Sequence, residues 1–189
     1  VVLHLAWRDG FVHYSDAHIE DLPKHYSFIK KLARKQHVGE RYVFLFTVQK
    51  GDLAYYVAKK IARERNTIIV RLRATQRLNA LHRENNVKTF YSLSPEDFVG
   101  LINGAECVVT NSFHATAISL QLGKNFYSVK SEYSNRVSSL LSTINLNNRF
   151  VSTLDGFKDE NDIDYNIVRP QLELYSTKSR EFLISNIEK

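Results

Sequence analysis

The sequence predicts an α/β fold built on a doubly wound, mostly parallel sheet, with a C-terminal helix packed back on it. Residues 42–48 and 67–72 are apolar runs without alternation, which is typical of strands buried on both faces. A helical pattern lies between them, so the three segments form a strand–helix–strand unit. The same order recurs from residue 87 to residue 129, and 189 residues with 43% hydrophobic content are enough for one buried core.

The first part of the chain divides into a leading segment and the start of this sheet. A strand over 1–6 and a helix over 21–36 make up the leading segment, residues 1–40, which precedes a Rossmann-like domain over 41–189. After the strand over 42–48, a helix over 52–63 has apolar residues at helical spacing, and Asp52 is predicted to cap it.

The next elements repeat the pattern. A short strand over 87–91 leads to a helix with Ser94 as its cap and Pro95 in its first turn, and Gly104 ends that helix. A strand over 107–110 passes directly into a helix that runs to about Leu122.

The last third of the chain is predominantly helical. A short strand over 126–129 precedes an amphipathic helix over 137–144. After a polar loop over 155–164, a long helix is predicted from residue 169 or 170 towards 187, with Val168 and Phe182 among its buried residues.

Composition excludes several classes of protein. The single cysteine, Cys107, excludes a disulfide framework and any cysteine-built zinc or iron–sulfur site. No apolar run approaches the roughly 20 residues that a membrane-spanning helix needs. The formal net charge of +6 favours anionic partners, but no run of basic residues marks a nucleic-acid-binding arm. The sequence has neither methionine nor a signal-peptide pattern, so we expect it to be a piece of a longer protein.

The candidate functional residues lie where the strand over 107–110 meets the next helix. Open α/β sheets bind ligands at the carboxyl ends of strands, where helix N-termini face the crevice. Asn111, Ser112, Phe113, His114 and Ala115 offer this crevice a carboxamide, a hydroxyl, an imidazole and backbone N–H groups for a phosphate or carboxylate. His114 also suits general acid or base chemistry near neutral pH. The same residues fit plain helix capping equally well.

Three arginines are candidate partners for such an anion. Arg71 and Arg73 come at the end of a buried strand, and Arg136 precedes the helix over 137–144. A guanidinium group holds a carboxylate or phosphate through two parallel hydrogen bonds. The alternative for Arg71 and Arg73 is a surface position at a strand end. No glycine-rich phosphate-binding motif and no metal-binding motif occurs, so no metal is expected.

Residues 40–189 resemble the C-terminal half of the polysaccharide pyruvyl transferase family. The resemblance rests on the helix opening Ser94-Pro95-Glu96-Asp97-Phe98, on Asn103-Gly104-Ala105-Glu106-Cys107-Val108-Val109-Thr110, and on the turn Asn111-Ser112-Phe113-His114-Ala115-Thr116. It continues through Lys124-Asn125-Phe126, Asn135-Arg136-Val137-Ser138-Ser139-Leu140-Leu141, Asn145-Leu146, Arg149, and the terminal Ser-x-x-Phe-Leu pattern from Ser179. Ala115 stands where the family usually has Gly.

The resemblance implies an enzyme of two Rossmann-like lobes, similar in layout to the metal-independent (GT-B-like) glycosyltransferases. This chain would be the second, donor-binding lobe, and the missing N-terminal lobe of the same protein would be its partner. Such enzymes move pyruvate from phosphoenolpyruvate onto two hydroxyls of a sugar as a ketal, on bacterial surface polysaccharides, and use no cofactor. The implied setting is the cytoplasm, with lipid-linked saccharides among the acceptors and at most peripheral contact with the inner membrane face.

The resemblance also implies roles for the candidate residues. His114 would bind the donor phosphate or relay a proton, and Ser112 with the amides of Phe113 to Ala115 would cradle oxygen atoms. Arg71, Arg73 or Arg136 would supply positive charge. Two alternatives are a lobe of a nucleotide-sugar-dependent glycosyltransferase and a catalytically inactive interaction module.

Overall fold

The computed structural model of the protein describes residues 41–49, 51–73, 85–91, 93–132 and 134–187. The strand over 1–6 and the helix over 21–36 that the sequence predicts lie outside these residues.

Strands and helices alternate along the described chain. The first elements are β1 (Tyr42–Phe46), α1 (Leu53–Glu64), β2 (Ile68–Arg73), β3 (Val87–Tyr91), α2 (Pro95–Gly104) and β4 (Cys107–Thr110). They are followed by α3 (Phe113–Gln121), β5 (Phe126–Val129), α4 (Asn135–Thr143), a 3-10 turn (Asn147–Arg149), β6 (Phe150–Val151) and α5 (Tyr165–Ile187).

The six described strands form one sheet in the order β3-β2-β1-β4-β5-β6, and every neighbouring pair is parallel. Helix α1 covers one face of this sheet, and helices α2 to α5 pack on the other. The predicted doubly wound α/β fold is therefore confirmed. Strand order reverses between β1 and β4, so that their carboxyl ends open a crevice of the kind in which such folds bind ligands.

The strands read as continuous apolar runs because both faces of the sheet are covered. Phe44 and Val108 point to the face of α2, Val43 and Val109 point to the face of α1, and all four are fully buried. Burying a side chain of this kind contributes about 1.5–3 kcal/mol, so the two faces stabilise the sheet together.

Helix α5 ends at Ile187 as predicted, but its start and the exposure of one residue differ from the prediction. It begins at Tyr165 instead of 169 or 170, because the side chain of Asp164 accepts a hydrogen bond from the Asn166 N–H (3.0 Å) and starts the helix one turn earlier. Pro170 therefore lies inside the helix. Phe182, predicted to be buried, is 68% exposed, whereas Val168 is 4% exposed.

Two local predictions fail elsewhere. The side chain of Asp52 makes no capping hydrogen bond at the start of α1. Strand β6, which is only two residues long, was not predicted, because its pairing with β5 leaves no periodic pattern in the sequence.

Residues 155–163, predicted to be a polar loop, form a strap that closes the α1 face of the sheet. Arg65 donates two hydrogen bonds to the carboxylate of Asp159 (2.6 and 3.0 Å), and the Tyr127 hydroxyl donates to the same carboxylate (2.9 Å). Phe157 packs edge-on against the Tyr127 ring, and the buried Arg149 donates to the Asn161 carbonyl. The bond to Asp159 raises the pKa of Arg65, and burial raises the pKa of Tyr127. Polar side chains thus fix this strap to the core.

No helix in the described part of the chain is long and apolar enough to cross a membrane.

Candidate functional site

The corner between β4 and α3 lies at the carboxyl ends of the strands, directly beside the point where strand order reverses. Its residues follow Thr110, the last residue of β4, which pairs with Phe46, the last residue of β1. The position is the one that an open parallel sheet offers to a ligand.

Ser112 builds the start of α3 and is almost fully buried (4% exposed). Its Oγ accepts a hydrogen bond from the Ala115 N–H (3.4 Å), and its own N–H donates to Thr110 Oγ1 (3.0 Å). The Ser112 carbonyl accepts from both the N–H (3.1 Å) and the hydroxyl (2.9 Å) of Thr116. These bonds satisfy the groups that a helix start leaves open and hold α3 in one orientation.

A second hydroxyl, from strand β5, supports this helix start from below. Thr116 Oγ1 lies 2.7 Å from Ser128 Oγ, and both residues are fully buried. Since Thr116 gives its single hydroxyl proton to the Ser112 carbonyl, Ser128 is the donor between the two hydroxyls. The orientation of α3 is therefore tied to β5 as well as to β4.

Phe113, at the start of α3, contacts both its neighbour His114 and Arg136 from the next helix. The ring centroids of Phe113 and His114 are 6.0 Å apart in an edge-on arrangement, and the Arg136 guanidinium lies 5.3 Å from the centre of the Phe113 ring. Arg136 comes from the first turn of α4, so two helices contribute to the cluster. Cation–π contact of this type keeps a guanidinium beside a ring without neutralising its charge.

This cluster has unused capacity to bind an anion. Among the described residues, no carboxylate lies within 4.0 Å of Arg136, and neither nitrogen of the half-buried His114 ring has a hydrogen-bond partner. The Ala115 and Thr116 N–H groups are used by Ser112, which leaves the N–H groups of Phe113 and His114 at the positive end of the helix.

Asn111 and Ala115 have other surroundings. The Asn111 carboxamide accepts from the Val48 N–H (2.8 Å) and donates to the Gln49 carbonyl (3.2 Å), in the loop after β1. Ala115 is fully buried in the core on the α2 face, and its N–H is the one that Ser112 caps.

Arg71 and Arg73 lie on β2, which is separated from β4 by β1. Neighbouring strands are about 4.8 Å apart, so roughly 10 Å separates the two backbones. Arg71 is half-buried and donates to Thr89 Oγ1 (3.3 Å) on β3, while Arg73 is exposed. Within the described chain, no contact joins either arginine to His114 or Arg136.

The loop after β1 was missed by the sequence analysis. The Gln49 side-chain oxygen accepts from the Glu132 N–H (3.1 Å), so this loop connects to the one that precedes α4. The topology makes it part of the same crevice, because β1 and β4 are adjacent. The sequence signal for this turn is a buried strand followed by Gly51 and a helix. The turn lacks the glycine-rich motif of a dinucleotide-binding loop.

A groove of about 480 Å³ lies at the opposite edge of the sheet, among residues that precede β1, β4 and β5. Two of its cations form ion pairs, Arg41 with Glu106 and Arg65 with Asp159. Burial lowers the pKa of Lys124, the third cation of the groove. The described residues contain no group of three or more His, Cys, Asp or Glu that could hold a metal ion.

Similar proteins were found among solved structures and among family models. A proposed UDP-N-acetylglucosamine 2-epimerase from Listeria monocytogenes matches with 12% identity and a TM-score of 0.48, over 82% of this chain and 44% of that one. A second UDP-N-acetylglucosamine 2-epimerase matches with 14% identity and a TM-score of 0.44, over 87% and 38%. EarP, which mediates arginine glycosylation of translation elongation factor EF-P, matches with 12% identity and a TM-score of 0.41, over 86% and 59%. The chain thus spans between 38% and 59% of the length of these structures. No curated protein matches the sequence.

The family comparison is more specific. The family model described as polysaccharide pyruvyl transferase matches residues 9–133, a stretch that includes the β4–α3 corner and His114. The match begins earlier in the chain than the resemblance noted in the sequence. Because it covers more than half of the 189 residues, the chain belongs to the polysaccharide pyruvyl transferase family.

Proposed function

We propose that this chain binds phosphoenolpyruvate at the β4–α3 corner and is the donor lobe of an enzyme that transfers pyruvate to a sugar as a ketal. The observation that carries the proposal is the cluster of Arg136, His114 and the two open N–H groups at the start of α3. Phosphoenolpyruvate carries a phosphate and a carboxylate, which guanidinium, imidazole and helix N–H groups are suited to hold. The family to which the chain belongs supports a transferase.

The chemistry assigns His114 to the reacting end of the donor. The oxygen of one sugar hydroxyl adds to C2 of the enolpyruvate and gives up its proton, while a proton is delivered to C3, which becomes a methyl group. A second hydroxyl of the same sugar then displaces phosphate from C2 and loses its proton, which completes the ketal and releases inorganic phosphate. His114 either supplies a proton in the first step or donates to the departing phosphate in the second. Arg136 stabilises the charge that phosphate carries away.

Further parts of the proposal concern the rest of the enzyme. The acceptor is a saccharide of a bacterial surface polysaccharide, including lipid-linked forms at the membrane face. We place its binding site on a first lobe, across the crevice from His114. The donor site needs no metal or other cofactor, because its positive charge comes from Arg136 and α3.

Ligand-observed NMR with phosphoenolpyruvate, UDP, GDP and CMP tests the proposal. We expect phosphoenolpyruvate to bind in preference to the nucleotides, and His114→Ala and Arg136→Ala each to weaken it by about tenfold or more. Arg63→Ala is the matched control, because Arg63 is an exposed arginine in the last turn of α1, at the far edge of the sheet.

Each contrary result has a distinct meaning. Unchanged phosphoenolpyruvate affinity in His114→Ala and Arg136→Ala would overturn the assignment of the site. A preference for a nucleotide that depends on His114 would favour a glycosyltransferase. Absence of binding by all four ligands would overturn donor binding by this chain and favour an interaction module.

A further inference from the structure

We propose that Asn111 is a positioning residue, which ties the loop after β1 to the start of α3 and thereby sets the affinity of the anion site at His114 and Arg136. The inference rests on the proposed function for the identity of the anion. It concerns a residue that the proposal does not use in binding or chemistry.

The carboxamide of Asn111 continues the connection between β4 and the chain after β1 beyond the end of their pairing. The parallel pairing of β1 with β4 ends at Phe46 and Thr110, because the chain turns into α3 at Ser112. Strand β1 would otherwise lose its neighbour there. Asn111 instead accepts from the Val48 N–H (2.8 Å) and donates to the Gln49 carbonyl (3.2 Å), so its carboxamide bonds to the backbone after β1 just beyond the last paired residues.

A second carboxamide carries this connection to the loop before α4. Gln49 Oε1 accepts from the Glu132 N–H (3.1 Å), three residues before α4 begins at Asn135. The chain of contacts from Asn111 through Gln49 to Glu132 therefore joins the helix that carries His114 to the helix that carries Arg136. An anion that binds to both side chains would therefore depend on this connection.

Asn111 acts on the anion indirectly. Both polar ends of its side chain are bonded to backbone of the loop after β1, and the side chain is only half-exposed. Its removal leaves α3 held by Ser112 and Thr116, but it loosens the loop after β1 and, through Gln49, the loop that leads to Arg136. Misplacing binding groups by about 1 Å is enough to cost a large factor in a site of this kind.

The test uses the ¹⁵N-labelled chain and two measurements. Amide hydrogen exchange at Val48 and Glu132 reports on the connection, and titration with phosphoenolpyruvate reports on the site. We expect Asn111→Ala to speed exchange at both amides by at least about fivefold and to weaken the binding of phosphoenolpyruvate by about tenfold. Asn103→Ala is the matched control, since Asn103 is an exposed asparagine near the end of α2, and it should change neither.

Two further variants separate positioning from general loss of structure. Asn111→Asp keeps the acceptor for Val48 but cannot donate to Gln49, so exchange should speed at Glu132 and stay slow at Val48. This variant serves the exchange measurement alone, because its charge repels an anion directly. In an Arg136→Ala background, Asn111→Ala should weaken binding by less than about twofold more, because the distance that it fixes no longer matters.

The outcomes distinguish this inference from the proposed function. Unchanged exchange at Val48 in Asn111→Ala would overturn the inference about Asn111. Faster exchange with unchanged phosphoenolpyruvate affinity would also overturn it. So would an effect of Asn111→Ala on affinity that is as large in the Arg136→Ala background as in the unsubstituted chain. If the unsubstituted chain fails to bind phosphoenolpyruvate, the proposed function falls and the role of Asn111 in affinity falls with it. Exchange at Val48 would in that case still show whether Asn111 holds the loop.

Discussion

Replacing Gly104 by alanine should destabilise the protein even though alanine is the better helix former. A Cβ at this position, the last of α2, would lie 2.6 Å from the hydroxyl oxygen of Tyr42, while the next nearest atom, Tyr42 Cζ, lies 3.5 Å away. The Tyr42 ring is buried (3% exposed), and its hydroxyl donates to the Leu101 carbonyl (2.8 Å), so it cannot move aside without breaking that bond. Losing a buried hydrogen bond costs about 1–3 kcal/mol.

The gain from alanine partly offsets this cost. Alanine in a helix is favoured over glycine by up to about 1 kcal/mol. We therefore expect Gly104→Ala to lower the free energy of unfolding by about 1–2 kcal/mol. Urea denaturation followed by circular dichroism measures this change.

The Tyr42→Phe background is the decisive control. Without the hydroxyl, the nearest atom to the new methyl group is the ring carbon at 3.5 Å, an ordinary contact. Gly104→Ala should then be neutral or stabilising by up to about 1 kcal/mol, which gives a coupling energy of about 2 kcal/mol between the two positions. The same loss of stability with and without the hydroxyl, or a Gly104→Ala protein more stable than the unsubstituted one, would refute the reasoning.

Three other predictions concern the core and the strap. Burial raises the pKa of the Cys107 thiol to about 12 from its ordinary value near 9. The thiol of the unfolded chain therefore ionises first, and the free energy of unfolding falls as pH rises from about 9 to 12. Cys107→Ala should make that fall shallower in urea titrations at about pH 8 to 11. Asp159→Ala removes both hydrogen bonds between Arg65 and Asp159 and leaves Arg65 only the 3.9 Å contact with the exposed Asp162, so it should cost about 2–3 kcal/mol in the same assay. The exposed Asp155→Ala should cost less than about 0.5 kcal/mol. Ser94→Ala removes the acceptor of the Asp97 N–H at the start of α2, and a loss of about 1 kcal/mol is expected, with no loss at all contradicting the cap.

The sheet could be predicted closely where a strand is buried on both faces. Strands β4 and β5, in which every residue is buried, have the predicted bounds because each is a short, largely apolar run flanked by polar or helix-starting residues. The edge strand β3 also has its predicted bounds, although none of its residues is buried. The predicted bounds were wrong where a single side-chain hydrogen bond or a tertiary contact decides them. The start of α5 depends on the Asp164 side chain outcompeting the preference of proline for a first turn, and β6 exists only through its pairing with β5.

The glycine at the end of α2 shows the same limit. Its position at the helix end is as predicted, but its backbone is not in the left-handed conformation that usually favours glycine there. The close approach of the Tyr42 hydroxyl is what excludes a side chain, and Tyr42 lies 62 positions earlier in the sequence.

The position of the β4–α3 corner in the fold was predicted, but the side-chain contacts around it were not. The β4–α3 corner follows from the order of strand and helix, and Arg136 does lie beside Phe113. The sequence does not contain the order of strands in space, which puts β1 between β4 and β2 and so separates Arg73 from His114. Nor does it show that Asn111 bonds to backbone 62 and 63 positions away.

The sheet alone would be a misleading guide to where this domain can be cut. A fragment that stopped at Val151 would contain every strand described above, and one that stopped at 133 would contain the whole family match. Both would discard residues 155–163, and with them the cover of Tyr127 and the partner of Arg65. The longer fragment would keep Arg149 without its partner, and the shorter one would lose Arg149 as well. The Arg65 guanidinium and the Tyr127 hydroxyl would then face water on the part of the sheet that α1 does not cover, beside the apolar residues of β4 and β5. Expression boundaries should therefore keep the partners of these buried polar groups and the start of α5, where Tyr165 donates to the Lys124 carbonyl and Val168 is buried, which places the earliest safe end beyond Val168.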